Sequence, residues 1–170
     1  MTRGLAVLVL CCAASGAAQA MSGTVTHVTD GDTLWLRPDG GGKPVKVRLE
    51  GLDAPEHCQA WGAQATAALR DKLLHRRIEL QGRGRDDYGR LLGRPLLDGV
   101  DVGAWMVAQG HAWSYRWRAS DGPYAAEEAA ARHARRGLFA DPQAIEPRTF
   151  RHDHGPCDAP PPARHDKAQP

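Results

Sequence analysis

The apolar residues of this 170-residue chain change period along its length, and that change limits the folds open to it. Thr24-Val25-Thr26-His27-Val28, Thr33-Leu34-Trp35-Leu36-Arg37 and Val45-Lys46-Val47-Arg48-Leu49 are β-branched or alternating segments. They are parted by the turn Asp30-Gly31-Asp32 and by a Gly-rich loop from Pro38 to Gly42, which reads as successive short strands. From Trp61 the period lengthens: Trp61, Ala65, Leu69 and Leu73 recur every fourth residue, one face of a helix. Strands return at residues 76–81 and 90–97, where Pro95 marks an edge or a bulge. Two helical stretches follow. One runs from Asp98 and Asp101 through Val102, Trp105 and Met106 to a stop at Gly110. The other, Tyr124 to Arg136, is alanine-rich, with acids early and arginines late as the macrodipole favours, and Gly137 ends it. Five short strands with a helix between the third and fourth, then helices, predict an α+β domain: a five-stranded Greek-key β-barrel of the OB type with about three helices.

The two ends are expected to lie outside that domain. Arg3, the apolar run Leu5 to Ala14 and the small residues of Ala18-Gln19-Ala20 have the order of a secretory signal, so residues 1–20 are read as a cleaved leader. The run is too short to span a bilayer, and neither Cys11 nor Cys12 follows the small residue that lipoprotein processing requires. Residues 21–151 form the expected domain and the Pro-rich residues 152–170 a flexible tail. Export predicts a periplasmic or secreted protein with no membrane association after cleavage. Loss of Arg3 takes the net charge from +2 to +1, since the first 20 residues contain no acid. A near-neutral chain does not coat nucleic acid by bulk attraction, so any affinity for phosphate must be local. Two cysteines remain after the leader, Cys58 and Cys157. An even pair in an oxidising compartment favours a disulfide. Zinc held among His57, Cys58, His152, His154 and Cys157 is the other reading, at spacings that match no standard finger.

Five scattered charges carry the chemistry: Asp32, Arg48, Asp53, Glu56 and Arg90. Each alone has an ordinary explanation. Asp30 and Asp32 flanking Gly31 suit a turn, Arg48 on an alternating strand suits a solvated face, and Arg90 after Tyr88-Gly89 suits a surface. Together they form a set that phosphodiester cleavage requires: acids for a hard divalent cation and a base, arginines for a phosphate.

Three blocks carry a family resemblance, in order: Val28-Thr29-Asp30-Gly31-Asp32-Thr33, Arg48 through Glu56, and Asp86-Asp87-Tyr88-Gly89-Arg90. With Gly62, the segment Gly110 to Tyr115 and the helix end Ala134 to Phe139, the chain resembles the staphylococcal (thermonuclease-like) nuclease family from about Gly23 to Arg151. The resemblance implies an OB barrel with three helices and a calcium-dependent, sugar-nonspecific nuclease that cleaves DNA and RNA to 3′-phosphate ends. It implies that Asp32 and Asp53 are calcium carboxylates, that Ala54 donates a backbone carbonyl to the ion, and that Glu56 is the general base. It further implies that Arg48 and Arg90 contact phosphate and that Tyr88 and Tyr115 line the nucleotide pocket. Ala54 stands where the best-known member has threonine, which a carbonyl ligand tolerates. Asp87 stands where that member has lysine, which removes a positive charge beside the substrate phosphate.

The reading is therefore an exported metal-dependent phosphodiesterase, monomeric and without an obligate protein partner. Its rival is a catalytically silent OB-type module that binds nucleic acid or peptide. Silent relatives usually lose an acid or an arginine of the set, and all five are present here.

Overall fold

A computed structural model describes residues 19–155 and residue 157. Strand β1 (Gln19–Asp30) turns at Gly31-Asp32 into β2 (Thr33–Pro38), which pairs antiparallel with β3 (Val45–Leu49). The short β4 (Leu52–Asp53) leads to helix α1 (Gly62–Leu73), and β5 (Arg77–Arg85) pairs with the other edge of β1. Next comes β6 (Leu91–Leu97), antiparallel to β5, and its parallel pairing with β3 through Val47–Leu91 closes the five-stranded barrel. Closure leaves little exposed edge, which an open sheet of this size would have to protect. The hairpin strand β7 (Val100–Asp101) precedes α2 (Val102–Ala108), and β8 (Trp113–Ser114) pairs with β4. Helix α3 (Ala125–His133), a 3-10 turn at Gly137–Ala140 and α4 (Pro147–His154) complete the described chain.

The alternation expected of the strands is what builds the core. Val25, Leu34, Leu36, Val47, Leu49, Ile78 and Leu80 point inward and are buried, and α1 closes one side with Ala65, Leu69 and Leu73. A smaller cluster under α3 joins Trp113, Ala131, Leu138 and Phe139, with the Trp113 and Phe139 rings edge to face at 5.9 Å. Pro95 faces Leu80 inside the β5–β6 pair, and the irregularity in that ladder falls between Gly82 and Gly84 of β5.

The α+β OB barrel with its helices agrees with expectation. Four α-helices lie among the described residues, and the last of them, α4, carries no apolar stripe. Its sequence, Pro147-Arg-Thr-Phe-Arg-His-Asp-His154, has one large apolar side chain, Phe150. Proline at the helix start supplies the right φ and lacks only an N–H that would have no helical partner. This helix extends three residues into the segment expected to begin the tail. At the other end Gln19 and Ala20 pair with Gly82 and Gln81 in β1, while residues 1–18 and 158–170 lie outside the described residues, with most of the expected leader and tail.

Candidate active site

The barrel brings the five charges to one open cleft of about 1020 Å³, lined also by Tyr88 and Tyr115. Two glycines allow the loops around it to close in. A Cβ on Gly31 would fall 2.7 Å from the Cβ of Ala54 and 2.9 Å from that of Ala65, so glycine lets the β1–β2 turn lie against the Asp53-Ala54 segment. A Cβ on Gly62 would overlap the carbonyl of Glu56, so the start of α1 can approach the loop that carries Glu56 only as glycine.

Asp32 and Asp53 are buried, at 7% and 6% exposure. Asp32 Oδ1 accepts the Thr33 hydroxyl at 3.0 Å, and its Oδ2 accepts the Ala54 N–H at 3.0 Å. Arg48 binds both acids through one nitrogen, Nη2, at 3.0 Å from Asp32 Oδ2 and 2.9 Å from Asp53 Oδ1. The two carboxylates are thus bridged by one guanidinium nitrogen, which brings an oxygen of each to the same point of the cleft. Nη1 of Arg48 donates to the carbonyls of Leu49 (2.9 Å) and Leu52 (3.1 Å), which fixes the guanidinium plane from the backbone.

Burial sets the proton affinities of Asp30 and Asp53 in this corner. Burial raises the Asp53 pKa even though Arg48 opposes the shift. Burial, then the charge of Asp32, pushes Asp30 up to about 7. Two buried carboxylates brought to one point supply hard oxygen donors of the kind a divalent ion takes. Among the described residues no three His, Cys, Asp or Glu side chains form a metal-binding group, so water and substrate oxygens would supply the rest of such a shell.

Glu56 sits on the loop after β4. Its N–H donates to Gln59 Oε1 at 3.1 Å and its carbonyl accepts the Gln59 N–H at 2.9 Å. Arg90, also on the cleft lining, is steered by Asp86. The Arg90 Nε donates to Asp86 Oδ2 at 2.7 Å, while Asp86 Oδ1 accepts the backbone N–H groups of Tyr88 and Arg90. Burial acts upward on the Asp86 pKa, but these hydrogen bonds outweigh it and hold the carboxyl below its ordinary value. The Arg90 guanidinium lies 5.4 Å from the Tyr88 ring, which is 85% exposed at the cleft mouth; Tyr115 is 40% exposed.

Cys58 and Cys157 are joined as a disulfide, with Cα atoms 5.6 Å apart. Sequence reasoning missed two cleft residues. Trp117 is 64% exposed and lines the cleft. Arg151 reaches in from α4 to Asp53 and Glu56. For Trp117 the polar flank Arg116 and Arg118-Ala119-Ser120 was an available signal; for Arg151 nothing local pointed inward.

A closed five-stranded barrel that brings acids and arginines into one cleft defines an OB-type protein. Residues 46–141 match the model of the staphylococcal nuclease homologue family, and the chain belongs to that family. Among its relatives, Protein ParB of Escherichia coli is 37% identical over 164 residues, covering 90% of this chain and 92% of that one. An uncharacterized endonuclease of Haemophilus influenzae is 35% identical over 75% of this chain and 71% of its own. A micrococcal nuclease of Shigella flexneri is 34% identical over 76% and 79% respectively.

Proposed function

We propose that this chain is an exported, calcium-dependent, sugar-nonspecific nuclease that hydrolyses phosphodiester bonds of DNA and RNA to 3′-phosphate ends. The observation that carries this reading is the convergence of Asp32, Asp53, Glu56, Arg48 and Arg90 on one open cleft. Family membership and relatives named endonuclease and micrococcal nuclease support it. Export rests on the leader-like residues 1–20 and places the protein in the periplasm or outside the cell.

A phosphodiester resists attack because its anionic oxygens repel a nucleophile. Asp32, Asp53 and the Ala54 carbonyl are the residues to hold a calcium ion, which when bound would neutralise charge on one phosphate oxygen. Everything else falls to the chain itself. Glu56, 28% exposed at its side chain, is the group to accept a proton from water or to orient it toward phosphorus. Arg90, held at its Nε by Asp86, and Arg48, held between Asp32 and Asp53, are the cations on the cleft lining whose attraction grows as negative charge builds on phosphate oxygens in the transition state. Tyr88, exposed beside Arg90, offers a stacking face that accepts any base, as little base specificity requires.

The test is degradation of plasmid DNA and of RNA by purified protein with calcium, then with excess chelator. Cleavage of both that chelation abolishes is expected. Cleavage that persists unchanged after chelation defeats the calcium mechanism, and failure to cut any nucleic acid with calcium favours a silent binding module.

A further inference from the structure

Helix α4 carries a residue for which the mechanism above has no task. Arg151 spans two carboxylates: its Nη1 lies 2.5 Å from Glu56 Oε1 and its Nη2 3.2 Å from Asp53 Oδ2. Arg151 follows the last residue matched by the family model, position 141, by ten residues, so the barrel does not deliver it.

What delivers it is a segment fastened at both ends to the loop that bears Glu56. Ahead of α4, buried Gln59 donates from Nε2 to the Ile145 carbonyl at 2.8 Å, while its Oε1 accepts the Glu56 N–H. Beyond α4, Cys157 is bonded to Cys58, two residues after Glu56. A third tie joins Arg116 Nη1 to Glu146 Oε1 at 2.7 Å. The Glu56 loop and the Arg151 helix are thus cross-connected before and after the ion pair, and neither can shift far without the other.

Such bracing matters for a glutamate on a loop. A carboxylate with three rotatable bonds spends little time in any one position unless a partner holds it, and a two-pronged guanidinium supplies both direction and charge. Charge-bearing neighbours that orient a reacting group typically change activity by roughly 10- to 100-fold when removed.

We propose that Arg151 is a positioning residue. The disulfide-tethered α4 completes the cleft by holding the Glu56 carboxylate in place, and the Cys58–Cys157 bond influences cleavage through Arg151. This inference rests on the nuclease reading above. It implies that an oxidising environment is required for full turnover, not merely tolerated.

The experiment compares wild type with Arg151→Ala, Arg151→Lys, the pair Cys58→Ser/Cys157→Ser, and that pair combined with Arg151→Ala. Plasmid cleavage is followed at saturating calcium and well below each melting temperature. Calorimetric calcium titrations and circular dichroism are recorded for each protein. Arg151→Ala is expected to lower kcat roughly 10- to 100-fold with little change in KM, and to bind calcium no tighter than wild type. Lysine, which keeps charge but loses the fork, should recover part of the loss. The cysteine pair should lose a similar factor, and the triple variant should be no slower than the worse of its parents, because both act through one contact. Should Arg151→Ala not fold, the lysine variant and wild type under reductant still decide: unchanged kcat in both overturns the proposal. An unchanged kcat in folded Arg151→Ala overturns it too. Faster cleavage with tighter calcium binding would show Arg151 to be a plug on Asp53, and losses that multiply in the triple variant would show the disulfide acting by another route. Wild type that cuts nothing defeats the nuclease reading and this inference with it; active wild type beside an undiminished Arg151→Ala defeats this inference alone.

Discussion

The barrel and the C-terminal segment that carries Arg151 come together at Asp53 and Glu56 by different physics. From β1 to β6 the chain buries alternate side chains completely, and Asp32, Arg48 and Asp53 are carried on strands or at their ends. Along α4 only Pro147 is buried. That segment is held instead by discrete ties: a disulfide, a hydrogen bond from Gln59 and ion pairs from Arg116 and Arg151. Hydrophobic burial is non-directional and cooperative, so the barrel places its charges as part of folding. Discrete ties are directional and separable, so the segment can lose its place while the barrel stands.

The sharpest way to break this comparison is to remove one arginine from each side. Arg90→Ala takes a phosphate donor off the barrel wall and should cost about two to three orders of magnitude in turnover, with circular dichroism unchanged. The corresponding loss from α4 is expected to be smaller, because Arg151 acts through Glu56. A Arg90→Ala enzyme that turns over faster than Arg151→Ala would reverse the ranking and make α4 the principal wall of the site.

This contrast also explains what was legible in the sequence. Alternation at Val45, Val47 and Leu49 and the fourfold spacing of Trp61, Ala65, Leu69 and Leu73 announce the elements that burial holds, so the OB barrel and α1 could be read directly. The five charges could be recognised as a set because they sit in local blocks whose turns have their own sequence signals. Arg151 could not. Its helix has no apolar period, and its contacts with Asp53 and Glu56 span 98 and 95 residues. Only Cys157 hinted that the C-terminal residues return to the Glu56 loop, and a cysteine pair names a distance without naming what lies between. Trp117 was hidden for a different reason: an isolated tryptophan is core more often than rim, and burial rather than identity separates Trp117 from the buried Trp113.

Between the barrel and α4 stands a charged knot that tests how rigidly one is coupled to the other. Glu128, fully buried on α3, accepts the Ser114 N–H at 2.9 Å and hydrogen bonds from Arg116 and Arg132 at 2.8 Å each. Burial pushes its pKa up, but the three donors prevail and hold it below the ordinary glutamate value of 4.5. The sign follows from linkage. A carboxyl depressed in the folded state binds its proton more readily when unfolded, so its contribution is complete above about pH 4.5 and fades as pH falls through the folded value. Glu128→Gln should lower stability by about 1–2 kcal/mol in urea titrations at pH 7, a modest figure because both arginines are partly exposed. The difference from wild type should shrink when the titration is repeated near pH 3. Because Arg116 also binds Glu146, the variant should loosen α4 as well, visible as faster hydrogen exchange at the Phe150 and Gly155 amides while those of β5 are unaffected. Equal acceleration in β5 and α4 would mean the two regions open together.

The smallest expected effect lies wholly on the barrel side and serves as a reference for the others. Asp101 caps α2, its Oδ1 accepting the Ala104 N–H at 3.1 Å, and its Oδ2 accepts the Tyr124 hydroxyl at 3.0 Å. Burial, with Asp101 adding to it, raises the Tyr124 pKa, so that hydroxyl stays a donor throughout the range in which the protein is used. Asp101→Ala should destabilise the protein by about 1 kcal/mol through the lost cap. Asp101→Asn should recover most of this, since asparagine caps as well and its side-chain oxygen still accepts. Neither change touches the cleft or α4, so both should leave cleavage kinetics and the exchange rates of Phe150 and Gly155 as in wild type. If Asp101→Ala instead accelerates exchange in α4 as Glu128→Gln does, loss of stability anywhere suffices to free the segment, and its ties to the Glu56 loop are weaker than their geometry implies.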